Sequence, residues 1–198
     1  MIFNNNQSKY KVDFIKKMGI MKGNSHKILK TRKKVKIHVG CGVNYLEGYI
    51  NIDSSAMVKP DIVADICKLP FEDSSIDEIY TAHTLEHVND FEKAMRELHR
   101  VLKTGGVLKI IVPYPSSNYA FIPQHIHYFG WNSFKPFKKD DGMDYYYNFH
   151  FSEVEQKFSF RSLNKIISGL ANKHPFLYEN SFLKALFPAF ELHVEMIK

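Results

Sequence analysis

Five short β-rich runs follow one another between residues 35 and 113, and each is closed by glycine, an acid, a histidine or proline. The run at 35–39 leads into Gly40-Cys41-Gly42, that at 49–52 into Asp53, and that at 62–64 into Asp65. The run at 76–81 ends near His83, and the run at 107–112 at Pro113. Runs of this length, separated by turn residues, read as strands. Strands that all deliver polar or glycine residues at their C-terminal ends constrain the chain strongly, because that is where open α/β sheets hold their ligands. With 198 residues, 44% of them hydrophobic, the chain is long enough for a self-sufficient core.

One helix is signed at both ends. Phe91, Ala94, Met95, Leu98, Val101 and Leu102 follow the i, i+3, i+4, i+7 spacing of a single buried stripe. Asn89 reads as its N-cap, with Glu92 completing a capping box, and Gly105-Gly106 as the left-handed stop after Lys103. With the run at 107–112 behind it, this helix makes a β-α-β crossover, which favours a parallel sheet. Residues 154–160 and 190–197 alternate like paired strands around helical material at 163–171 and 181–186. They predict an antiparallel hairpin that closes the sheet. Residues 114–151 hold 13 of the 28 aromatic residues, too apolar a stretch for a free loop, and are expected to pack as a flap over the C-terminal edge of the sheet.

The net charge of +6 is unevenly placed. Residues 1–36 carry eleven Lys and Arg against one Asp, which leaves the rest of the chain at −4. Residues 1–34 therefore read as a solvated basic leader, partly disordered or forming a short helix through Phe14, Ile15, Met18 and Met21, and residues 35–198 as a single domain. Cys41 and Cys67 both fall in loops, at a spacing that suggests neither a disulfide framework nor a zinc site. With no apolar run long enough to span a bilayer and no signal-peptide pattern, a cytoplasmic location is expected.

Gly-x-Gly after a strand has two common meanings. A dinucleotide fingerprint needs a further glycine three residues on, where this chain has Tyr45, and a full helix after it, for which residues 43–48 are too few. A ligand without phosphates needs no such helix dipole, and S-adenosylmethionine is such a ligand. Lys36-Ile-His-Val-Gly-Cys-Gly, Ile50-Asn-Ile-Asp53, Val63-Ala-Asp65-Ile-Cys-Lys-Leu-Pro-Phe71, Asp77-Glu-Ile-Tyr-Thr-Ala-His-Thr-Leu-Glu-His87 and His99-Arg-Val-Leu-Lys-Thr-Gly-Gly106, in that order, resemble the successive motifs of the class I S-adenosylmethionine-dependent methyltransferases, in a lean subgroup with a shortened first crossover. The resemblance implies a Rossmann-like α/β fold with a mostly parallel central sheet and a C-terminal antiparallel hairpin.

The same resemblance assigns roles. Gly40, Cys41 and Gly42 would pass under the methionine part of the cofactor, Asp53 would accept from the ribose hydroxyls, and Asp65 from the adenine amino group. Ile66 would face the ring, and His83 would lie beside the amino acid end or the methyl group. His38 departs from the family, whose members often have an acid or amide there. His125 and His127, in Gln-His-Ile-His-Tyr-Phe, are the candidate catalytic bases for a hydroxyl acceptor, the alternative being that they hydrogen-bond backbone. The stretch His83-x-x-Glu86-His87 is similar to a Glu-x-x-Glu-His metal site, completed by a histidine supplied later in the chain, of certain small-RNA and ubiquinone-pathway O-methyltransferases, but Leu-Glu-His also occurs without metal, and the site is read here as metal-free. A compact apolar flap suits a small-molecule or glycan acceptor. The alternatives are an RNA acceptor, tethered by the basic leader and metal-assisted through His83, Glu86 and His87, or a non-catalytic cofactor-binding partner subunit.

Overall fold

The computed structural model describes residues 34–198, so the reading of a basic leader falls outside the described residues except for Lys34. Seven strands form one sheet in the order 3-2-1-4-5-7-6: β1 (Lys36–Val39), β2 (Ile50–Asp53), β3 (Ile62–Val63), β4 (Ile76–Ala82), β5 (Leu102–Pro113), β6 (Glu153–Ser159) and β7 (Glu191–Ile197). β1 pairs in parallel with β2 and β4, and β2 with β3, whereas β6 and β7 pair antiparallel with Ser159 opposite Glu191. This is the predicted α/β architecture. The order reverses on either side of β1, which makes the C-terminal ends of β1 and β4 the switch point where such sheets hold ligands. Where the sequence reads one domain, the chain groups into two compact units.

The first unit comprises the described residues up to Thr81, Asp90–Leu108 and Lys198. Its strands are buried on both faces: Ile37, His38 and Val39 of β1 and Ile50, Asn51 and Ile52 of β2 are all shielded, as expected for the middle of a parallel sheet. Helix α1 (Phe91–Val101) buries Ala94, Met95, Leu98 and Val101, the predicted stripe. Arg100 fastens its last turn, with guanidinium hydrogen bonds to the carbonyls of Phe71 (2.9 Å) and Leu69 (3.3 Å) and ion pairs to Glu97 and Asp73. Lys198 Nζ donates to the carbonyls of His99 and Leu102 at 2.7 and 2.8 Å, satisfying groups that the helix end leaves open.

Both predicted ends of α1 shift. The N-cap is Asp90, whose Oδ1 accepts from the Lys93 amide at 2.9 Å, and not Asn89. The helix ends at Val101 and runs directly into β5, so Gly105-Gly106 is no helix stop but a kink inside the strand. Gly105 has φ 73°, and a Cβ on Gly106 would lie 2.8 Å from the Lys103 carbonyl. The strand starts early because its first part is paired: the Gly105 amide donates to the Lys198 carbonyl (2.6 Å) and the Lys198 amide to Gly106 (3.1 Å).

The second unit comprises Ala82–Asn89 and Lys109–Ile197. Phe158 of β6 is its aromatic hub, with the rings of Trp131 at 4.7 Å, Tyr178 at 4.9 Å and Tyr114 at 5.0 Å. Residues 114–151 form single helical turns joined by irregular segments, and Phe129, Phe134, Phe137, Phe149 and Phe151 are buried. Phe129 stacks on Phe134 and Phe137 on Tyr147, at 5.4 and 4.3 Å. Three short helices, α2 (Ser168–Lys173), α3 (Pro175–Glu179) and α4 (Leu183–Leu186), fill the connection between β6 and β7. Among the described residues no helix is long and apolar enough to cross a membrane.

The corrected cap is directly testable. Asp90→Ala should cost about 1 kcal/mol of stability and Asn89→Ala only a few tenths, read from urea unfolding midpoints. Equal losses at the two positions would contradict the assignment.

Candidate functional site

The first unit builds a loop around the end of β1. The amides of Gly40 and Cys41 both donate to the Ile52 carbonyl, at 2.8 and 3.0 Å, tying the turn after β1 to the end of β2. Gly40 and Gly42 adopt φ of 71° and 49°, the left-handed region that glycine reaches without strain. The Gly42 amide donates to Asp53 Oδ2 at 2.8 Å, and the Ser55 amide to Asp53 Oδ1 at 2.9 Å. Each oxygen keeps a further lone pair for a ligand hydroxyl. A Cβ on Gly42 would meet nothing within 4 Å, so this turn borders open space.

Asp65 follows β3 in an Asx-type turn, with Oδ1 accepting from the Cys67 amide at 2.8 Å and the Asp65 carbonyl from the Lys68 amide at 2.9 Å. Its exposed carboxylate keeps an oxygen for a donor, and Ile66 beside it is buried. The structure thus gathers Gly40, Cys41, Gly42, Asp53, Asp65 and Ile66 in one unit. As the sequence predicts, no helix intervenes between β1 and β2.

Asn51 was missed as a site residue. Buried in the middle of β2, its Oδ1 accepts from the Leu46 amide (2.8 Å) and from His38 Nδ1 (3.3 Å), while Nδ2 donates to the carbonyls of Leu46 and Tyr49 and to Asp61. Asp61 Oδ2 also accepts from the Asn51 amide at 2.8 Å. One amide side chain therefore holds the loop at 46–49. An amide inside an otherwise apolar strand is the signal that could have exposed it. His38 is buried against this amide and edge-on to Tyr80 at 5.0 Å, and burial pushes its pKa below the ordinary histidine value. Its ring is a packed part of the loop support.

In the second unit, His83 follows β4 with φ 52° and sits between two carboxylates, 3.1 Å from Glu191 Oε1 and 3.5 Å from Glu86 Oε1. The hydrogen bond to Glu191, then Glu86, raises its pKa to about 9. His193 and His83 together hold Glu191 down to about 2. His83 is thus an imidazolium at neutral pH. His125 Nδ1 contacts the Ala120 carbonyl at 3.2 Å and His127 Nε2 the Val88 carbonyl at 2.8 Å. Both candidate bases therefore donate to backbone. Glu86 is fully buried, and its Oε1 pairs with His83 Nδ1.

This sheet order, with a glycine turn after β1 and an acid ending β2, is that of the class I S-adenosylmethionine-dependent methyltransferase fold. Residues 17–110 match the family model described as "Methyltransferase domain". It is 35% identical over 89 residues to the mitochondrial 2-methoxy-6-polyprenyl-1,4-benzoquinol methylase of Leishmania donovani, covering 39% of this chain and 28% of that protein. The chain spans less than half the length of the curated relatives it matches. In fold it is similar to an S-adenosylmethionine-dependent methyltransferase from Archaeoglobus fulgidus, with TM-score 0.57 and 16% identity over 96% of this chain and 94% of that one. A Thermotoga maritima methyltransferase described as a possible histamine N-methyltransferase gives TM-score 0.55 and 17% identity over 85% and 84%.

The turn at Gly40–Gly42 leaves a chemical mark. Cys41 is buried and its thiol is pushed up to about 11, first by burial and then by Asp53 and Asp61. It stays a thiol, and unreactive, until pH approaches that value. In native protein at pH 7.5, iodoacetamide should spare Cys41 and reach Cys67 first, with Cys41 labelled on denaturation. Rapid native labelling of Cys41, seen by peptide mass spectrometry, would contradict this environment.

Proposed function

We propose that the chain transfers a methyl group from S-adenosylmethionine to a small-molecule or glycan acceptor. The observation that carries this reading is Asp53, whose carboxylate grips the Gly42 amide and keeps a lone pair on each oxygen for the ribose hydroxyls. When bound, the cofactor supplies a sulfonium-bonded methyl group, already electrophilic. Gly40, Cys41 and Gly42 offer their backbone to the methionine part, and Asp65 and Ile66 take the adenine.

Catalysis then rests on positioning, because an acceptor lone pair held about 3 Å from the methyl carbon, in line with the sulfur, needs no covalent enzyme intermediate. His83 is proposed to help orient the amino acid end through its backbone, since both ring nitrogens face carboxylates. His125 and His127 each hold a backbone carbonyl, which supports a positioning role for them over that of a base. The benzoquinol methylase among the relatives supports a small-molecule acceptor.

Calorimetry with S-adenosylhomocysteine tests the cofactor half. Wild-type protein should bind one equivalent. Asp53→Asn should weaken binding at least about 10-fold, since a hydrogen bond to a charged group contributes roughly 1.5–3 kcal/mol. Absence of binding to the wild type would sink the proposal. Transfer of labelled methyl from the cofactor into the RNA fraction of an extract, rather than its small molecules, would shift the acceptor to the alternative class.

A further inference from the structure

We propose that the connection between β6 and β7 docks the protein on an anionic lipid bilayer. The helical turn Ser162–Ile167 runs directly into α2. Ile167 and Ala171, four residues apart, are buried, whereas Leu163, Ile166 and Leu170 stand on the outer side, Leu163 and Ile166 with 89% and 84% of their surface in water. The pattern repeats along α3 and at the start of α4, where Tyr178 is buried and Phe176 and Phe182 are each 71% exposed. Helical segments that are apolar on both faces have one face packed in the protein and the other facing the wrong solvent.

The inner face is pinned by specific hydrogen bonds, which fixes the residues that face outward. Asn172 accepts from the Phe158 amide at 2.6 Å and donates to the Phe158 carbonyl at 3.1 Å. The Tyr178 hydroxyl donates to the Phe187 carbonyl at 2.9 Å and accepts from the Ala189 amide at 2.8 Å. With this face committed to the protein, the outer apolar side chains have no route inward. Leaving them clustered in water is unfavourable unless something covers them.

Charge selects the occupant. Between residues 161 and 187 the chain carries Arg161, Lys165, Lys173 and Lys184 against a single acid, Glu179. All four bases are exposed, and the three lysines have no ion-pair partner among the described residues. Glu179 is turned to the protein, its Oε1 accepting from the Tyr114 hydroxyl at 3.0 Å and the Trp131 amide at 2.8 Å. A second copy fits this face poorly, because a twofold contact sets its cations against the same cations. A free polyanion would pair with the lysines and leave the leucine, isoleucine and phenylalanine side chains in water. A bilayer with anionic headgroups answers both needs, taking the apolar side chains into the headgroup boundary and the lysines onto its negative charge. Helices this short cannot span the bilayer, so the protein lies on it. The inference does not rest on the methyl-transfer reading.

Full-length protein should co-sediment with vesicles of phosphatidylcholine carrying roughly 30% phosphatidylserine, and only weakly with phosphatidylcholine alone. The double variant Leu163→Gln/Ile166→Gln should weaken that binding by more than about 10-fold, the factor that burial of one such side chain supplies. The triple variant Lys165→Gln/Lys173→Gln/Lys184→Gln should weaken it roughly 100-fold, at about 5-fold for each lysine near an anionic surface. The basic residues of 1–34 are common to every variant, so differences between variants read this surface alone. Thermal melts identify any variant that fails to fold, and Phe182→Gln supplies a second apolar test. Wild-type affinity in the folded double variant, or no vesicle binding by the wild type, would overturn the proposal. So would a lipid-free dimer that the double variant dissociates, because a second copy would then be what covers this face.

Discussion

The carbonyl of Ile52 accepts from the amides of both Gly40 and Cys41, and the proposed cofactor site hangs from that junction. It joins the first two parallel strands at the C-terminal ends where the strand order reverses. The next residue, Asp53, then reaches the Gly42 amide. A backbone junction of this kind depends on φ values at Gly40 and Gly42 that other residues adopt at a cost. It places a carboxylate beside an open space without a helix to position it. This is how a crossover shortened to a loop can still present a rigid ligand surface.

Rigidity has a second source, the buried amide of Asn51. A loop at 46–49 without regular structure has orphan backbone groups, and burying them unpaired would cost roughly 1–3 kcal/mol each. Asn51 and Asp61 satisfy several at once. The polar cluster is worth its burial because it is almost fully paired.

In the interior of the second unit, Glu86 is buried with His83 as its pairing partner at 3.5 Å. Its neighbour Glu191 shows what pairing achieves, since His193 and His83 hold that carboxylate well below the usual range.

The strands, the buried stripe of α1 and the cofactor loop were legible because each rests on local rules: alternation, the 3.6-residue period and glycine turns. Asn89 failed as a cap because Asp90, one residue on, competes for the same amides, and sequence spacing alone does not rank two adjacent cap residues. Gly105-Gly106 failed as a helix stop because the partner that draws those residues into β5 is Lys198, remote in the chain. Asn51, Glu86 and His125 acquire their meaning only from neighbours brought in by folding. The sequence by itself determined the α/β class and the resemblance to the methyltransferase motifs, since periodicity and motif order are properties of the chain. Only the tertiary structure decided which histidine approaches Glu86 and which loses its nitrogens to carboxylates, because hydrogen bonding and charge depend on contacts between residues far apart in sequence.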